Sequence, residues 1–288
     1  MAEVAELTYY PVKGCAGTSV AEALLTPAGL THDRAFMVVD DDGVFRSQRA
    51  DPRLAVIRPD VSADGGRMTL RAPGFEPVAL AVDTTGERRD VRLFANRYRG
   101  IDQGEEAAGW LSEVLGAPSR LVRVPPEHDR VTDGALPGTS GYADSCAVLV
   151  TSDSSLAELN ERIARRDAPA AARGGTGPAA AGPLPMTRFR PNIVVTGWPE
   201  PHTEDRARRI RLGAAELGYA KVAIRCSVTL VDQDSGAGAG PEPLRTLAAY
   251  RRAAQGGVAF GAKFAVVRPG KLSVGDELSV TTWGPAEL

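Results

Sequence analysis

Arg34-Ala-Phe-Met-Val-Val-Asp-Asp-Asp-Gly43 sets the architecture: an apolar, β-branched run stops at three aspartates and a glycine. β-Branched and aromatic side chains fit a pleated, half-buried surface, and Asp-Gly supplies the positive φ of a tight reversal. The stretch predicts a strand followed by a hairpin turn. The same signature recurs on both sides of it. Glu6–Tyr10, Leu54–Arg58, Arg67–Arg71 and Val78–Val82 read as short strands, most of them bounded by Gly, Pro, Asp or Asn. Evenly spaced short strands with turn signals predict a small barrel or sandwich.

From Glu105 the hydrophobic period becomes helical. Ala108, Leu111 and Leu115 share one face, and Gly116 is a natural stop. Further on, Ala147–Val150 reads as a buried strand and Ser154–Ile163 as a helix with a Ser or Asp cap. Asp167–Pro185 is almost entirely Ala, Gly, Pro and Arg, and is expected to be a flexible loop. Order is expected to resume at Arg188–Val195, with strands at Arg209–Leu212, around Cys226, and at Phe264–Val267. Pro243–Arg251 has helical periodicity, and Lys271–Val280 reads as a closing hairpin.

Composition narrows the function. The 288 residues carry a net charge of -2, so the chain as a whole is not a nucleic-acid-binding surface. No run of about 18 apolar residues is present, so no membrane span is expected. The start lacks a basic segment followed by an apolar one, which gives a cytoplasmic expectation. Three cysteines are too few and too scattered for a disulfide framework or a four-thiolate iron–sulfur cluster.

The chemistry centres on Cys226, in Val222-Ala-Ile-Arg-Cys-Ser-Val-Thr-Leu-Val-Asp232. The apolar run around it reads as a strand that holds it still, and Arg225 beside it favours a thiolate. Such a thiol suits three roles: ligand to a soft metal, carrier of sulfur, or filler of a core. Arg188-Phe-Arg-Pro-Asn192 is the strongest polar cluster. Its arginines alternate around Phe189, so both should face one side of an extended segment, and Asn192 should present a free amide at the edge of the core. A bidentate arginine for phosphate and an amide for a heterocycle form a coherent pair. Lys13, in Tyr10-Pro-Val-Lys-Gly-Cys-Ala-Gly17, stands among small residues as a point charge for phosphate, and Arg34 opens a strand as a second anion ligand.

These residues, taken in order, resemble the MOSC-domain family, named for the carboxy-terminal domain of molybdenum cofactor sulfurase. The amino-terminal part resembles the β-barrel domain that often precedes MOSC. Within the family the chain is similar to the amidoxime-reducing components and their bacterial counterparts. Tyr10–Cys15, Gly29–Asp40, Ser47–Arg49 and Pro52–Ile57 carry the first match. Ser155–Asn160, Phe189–Val195, Arg225-Cys226 with Thr229–Asp232, Pro243–Arg251 and Gly270–Asp276 carry the second.

The resemblance implies an α+β, β-rich fold. An amino-terminal β-barrel-like domain (residues 1–120) would pack on a MOSC β-barrel domain (121–288) with a few peripheral helices. It implies a molybdenum cofactor, a molybdopterin, with Cys226 as the metal ligand. Lys13, Arg34, Arg190 and Arg225 would hold the anionic cofactor, and Asn192 with Thr151 or Ser152 would supply polar contacts. The implied reaction is reduction of N-oxygenated small molecules, with electrons from a separate flavin or iron–sulfur reductase. Two alternatives stay open: a sulfur carrier or sulfurtransferase working through a Cys226 persulfide, and a biosynthetic enzyme on the same fold. Many relatives carry Cys-x-Arg-Cys, but Ala223 stands at the first position here, which leaves one thiol and argues against dithiol exchange. Lys263 falls where relatives often show an amide or an aromatic residue, and would face either the substrate cavity or solvent.

Overall fold

The computed structural model describes residues 1–171 and 182–288. Its centre is a closed barrel of seven strands. Ala2–Tyr9 pairs antiparallel with Ile193–Thr196, which pairs parallel with Val148–Ser152. The ring continues antiparallel through Val258–Arg268, Ala215–Arg225, Ala207–Leu212 and Glu277–Trp283, and returns to Ala2–Tyr9. Closure leaves no unpaired edge in the ring. Inward-facing residues fill it: Val4, Leu7, Val150, Ile193, Ile210, Leu217, Val222 and Phe264 are all buried in one cluster. One staple of this carboxy-terminal barrel is thus the first strand of the chain.

A second core lies beside it. A five-stranded sheet runs Arg88–Leu93, Asn96–Asp102, Arg120–Arg123, Phe36–Val39, Val12–Lys13. A three-stranded sheet of Arg58–Val61, Arg67–Ala72 and Phe75–Ala81 joins it, as does helix α1, Glu105–Leu115. Phe36, Val38, Met68, Leu70, Leu111 and Leu115 meet there. The β-rich α+β class expected from the sequence holds, with three α-helices among the described residues: α1, α2 (Asp153–Ala171) and α3 (Leu244–Tyr250).

Local chemistry explains the elements. The turn after Phe36–Val39 forms as expected: Asp40 Oδ1 accepts from the backbone N–H groups of Asp42 and Val44, and Gly43 takes φ 73°. Gly116 ends α1 in the left-handed region at φ 69°.

Four expectations are corrected. Leu54–Arg58 is not a strand. Pro52 starts a 3-10 turn over Pro52–Val56, and extended pairing begins at Arg58. Lys271–Val280 is not a hairpin. Gly270–Ser273 pairs with Glu22–Thr26, while Glu277–Trp283 joins the barrel. α2 runs to Ala171, past the expected start of the loop at Asp167, and residues 172–181 of that loop lie outside the described residues. Around Cys226 the strand stops at Arg225, and Cys226 caps a 3-10 turn over Ser227–Leu230. The Arg88–Leu93 and Asn96–Asp102 hairpin is an addition, because its Arg-rich sequence hides the alternation.

Candidate active site

Three barrel strands (Val148–Ser152, Ala215–Arg225 and Val258–Arg268), the Phe189–Asn192 segment and loops of the second core enclose a cleft of about 920 Å³, its open mouth included. Seven cationic residues line it: Lys13, Arg34, Arg46, Arg49, Arg190, Arg225 and Lys263. Asp144 is the single carboxylate among the lining residues. Cys226 stands in the wall, partly exposed, where the strand Ala215–Arg225 ends. Its carbonyl accepts from the backbone N–H and the hydroxyl of Thr229, which fixes the backbone that carries the thiol. From the other core, Arg49 brings Nη1 to 3.9 Å from the Cys226 sulfur.

Tyr10 organises the cationic wall. Its ring packs against two guanidiniums, those of Arg34 and Arg190, each 4.3 Å from the ring centre. Stacking on a π face offsets part of the repulsion between them. Both arginines have positive φ, 47° and 56°, a region that side chains normally avoid. Arg190 is 8% exposed and donates to the Cys15 carbonyl (2.6 Å) and to Gln233 Oε1 (3.0 Å). Arg34 donates to both carboxylate oxygens of Asp33 (2.8 and 2.6 Å) and to Asn192 Oδ1 (3.0 Å). Arg225 donates to the Phe189 carbonyl (2.7 Å), and its buried Nε has no protein partner. Arg225 lines the cleft, and a buried donor without an acceptor calls for one.

Charge repulsion and burial act on the lysines. Lys13 pairs with Asp144, yet burial, reinforced by Arg34 and Arg130, lowers its pKa. Lys263 donates to Ser145 Oγ (2.7 Å), and burial lowers its pKa as well. The Asp144 side chain is 60% exposed. Burial opposes its ionisation, but Lys13, Lys263 and Arg34 prevail and hold its pKa below the usual carboxylate range.

The expected site residues separate into two groups. Lys13, Arg34, Arg190, Asn192, Arg225 and Cys226 converge on the cleft, and Lys263 lines it too. Thr151 and Ser152 do not. Both are fully buried, Thr151 donating to Met186 sulfur (3.3 Å) and Ser152 to Glu204 Oε2 (3.0 Å). Asn192 has no free amide: Nδ2 donates to the Thr8 carbonyl and Asp33 Oδ1, and Oδ1 accepts from Leu149 N–H and Arg34. Arg188 and Arg190 diverge, because Met186–Phe189 is a 3-10 turn. Arg188 donates to the Thr229 and Glu242 carbonyls instead. Arg46, Arg49 and Asp144 are additions: Arg49 lies in the Ser47–Arg49 stretch that carries the resemblance without an implied role, and no local pattern marks the other two.

Residues 1–118 match the MOSC N-terminal beta barrel domain, and residues 137–279 match the MOSC domain. The chain is 32% identical over 295 residues to mitochondrial amidoxime reducing component 2 of Rattus norvegicus, covering 95% of this chain and 81% of that protein. It is 31% identical over 293 residues to mitochondrial amidoxime-reducing component 1 of Homo sapiens, with the same coverage. It is 32% identical over 267 residues to molybdenum cofactor sulfurase of Danio rerio, of which it spans 31%. With its barrel, its cleft and both domains matched in order, the chain belongs to the MOSC family, in which a MOSC N-terminal beta barrel domain precedes a MOSC domain.

Proposed function

We propose that this protein is a molybdenum-cofactor-dependent reductase of N-hydroxylated small molecules that receives electrons from a separate reductase. The observation that carries the reading is the partly exposed thiol of Cys226, opening on a cleft of seven cations and one carboxylate, while the second lining thiol, Cys146, is buried. The donor set fits the group. A pyranopterin dithiolene brings its own sulfurs and its own negative charge, so the protein needs to add one soft ligand and many cations. Among the described residues no cluster of three or more His, Cys, Asp or Glu could hold a metal, which suits a site that adds one ligand. When bound, the cofactor supplies two-electron redox chemistry.

The chain's own residues do the rest. Cys226 holds the metal, and Arg49 keeps positive charge beside its sulfur. Arg190, Arg34 and Lys13 bind the phosphate, held in place by Tyr10, Asp33 and Asp144. Arg225 Nε donates to the pterin or to its phosphate. Cleavage of an N–O bond consumes two electrons and two protons and releases water. Lys263 is the proton donor of the cleft, since its burial-lowered pKa eases release of a proton. The electrons come from a separate reductase.

The test is metal analysis and pterin fluorescence on protein made in a cofactor-replete host. Stoichiometric molybdenum with turnover of an amidoxime supports the reading. Protein without molybdenum overturns it, and an added sulfur on the Cys226 peptide in its place points to sulfur transfer.

A further inference from the structure

The strands Arg88–Leu93 and Asn96–Asp102 are joined by a two-residue turn, Phe94-Ala95. Phe94 takes φ 57°. Glycine is the usual residue at the first position of such a turn, because a side chain there meets its own backbone. An aromatic residue in that region is a true outlier. Strain of this kind persists where the surrounding structure or the function requires it.

The core does not require it here. Phe94 is 43% exposed, and it lines the cleft. Its ring meets Phe45 edge-on at 4.8 Å, and Phe45 also lines the cleft. Lys13 Nζ stands 5.2 Å from its centre and the Arg49 guanidinium 5.9 Å. Arg49 also reaches the Cys226 sulfur, at 3.9 Å. The hairpin therefore carries a half-open aromatic ring to the cleft, beside the cations that flank the thiol.

We propose that Phe94, backed by Phe45, is the specificity-determining residue of the cleft and stacks on planar, aromatic N-hydroxylated substrates. The inference rests on the reductase reading for the reaction but not for the binding. An offset or edge-on ring pair favours an aromatic ligand over an aliphatic one by roughly three- to tenfold. A neutral, planar amidoxime suits the place, since it carries no charge for the surrounding cations to repel.

The test uses the molybdenum-loaded full chain, with Phe94→Gly and Phe94→Leu. Binding of benzamidoxime and of hydroxyurea is measured by calorimetry without an electron donor, so no turnover is needed. In wild type benzamidoxime binds the tighter. Both variants are expected to shrink the ratio of the two Kd values by roughly three- to tenfold. Phe94→Tyr is expected to restore it. Phe94→Gly should fold normally, because glycine suits the turn, and Phe94→Leu keeps the bulk and removes only the ring. An unchanged ratio, no binding of benzamidoxime to wild type, or loss of pterin from the variants overturns the proposal. The reductase reading fails separately, by absence of turnover of both compounds once a donor is supplied.

Discussion

Arg49 and Cys226 stand 177 positions apart, yet Nη1 of one lies 3.9 Å from the sulfur of the other. Arg49 belongs to the turn after the Ser47-Gln48 loop, and Cys226 to the end of a barrel strand. The site therefore exists only where the two cores meet. Cys226→Ser keeps the size of the side chain and removes the soft donor. The expected outcome is a folded protein that retains pterin and loses at least about tenfold in molybdenum-dependent turnover. Activity equal to wild type would remove Cys226 from the site.

Asn192 ties three segments together through four hydrogen bonds. Asn192→Ala leaves the Leu149 N–H, the Thr8 carbonyl and part of Asp33 without partners in a buried place. The expected loss is about 3 kcal/mol in denaturant-induced unfolding. A loss under about 1 kcal/mol would mean that water replaces the amide.

Tyr10 packs against both Arg34 and Arg190, each 4.3 Å from its ring centre. Tyr10→Leu keeps the apolar bulk and removes the π face. Two like charges then lose their shared counterpart, and about 2 kcal/mol of stability should go with it. Retained pterin should fall in parallel, read by fluorescence after gel filtration.

Lys263 is expected to supply protons in the cleft. Lys263→Met should lower kcat by about a hundredfold and remove the alkaline limb of the pH–rate profile. An unchanged profile would leave the lysine with only an electrostatic part.

Glu204 is fully buried beside Asp205, and burial, then the Asp205 charge, push its pKa up to about 7. The folded chain holds a proton there that the unfolded chain, at 4.5, has already released. Its stabilising contribution is complete below pH 4.5 and is lost as pH rises through 7, a swing of about 3 kcal/mol. His202 runs the other way. Burial, then Arg251, bring its pKa down to about 4, so its contribution is complete above 6.5 and is lost as pH falls through 4. Glu204→Gln removes the first effect and keeps the second. The stability of the variant minus that of wild type should therefore rise from pH 4.5 to 7. A flat difference would show that Glu204 titrates normally.

The strand Phe36–Val39, its aspartate turn, α1 with its glycine stop, and most barrel strands were legible in the sequence. Each is a local pattern: alternation, a cap, or a residue suited to positive φ. Cys226, Lys13, Arg34 and Arg190 were legible because short motifs surround them. The Thr151 and Ser152 contacts were misread because both hydroxyls turn into the packed interior, towards Met186 and Glu204.

The sequence by itself determined the β-rich class, Cys226 as the candidate thiol and the cations that surround it in motifs. Only the tertiary structure decided that the first strand closes the carboxy-terminal barrel and that Arg188 leaves the cleft while Arg190 enters it. It alone brought Arg49, Asp144 and the strained Phe94 to the thiol's cleft. The reason is physical: hydrophobic periodicity fixes which face of an element is buried, but not which distant element covers it. That choice is made by ring closure and by the packing of one core on the other.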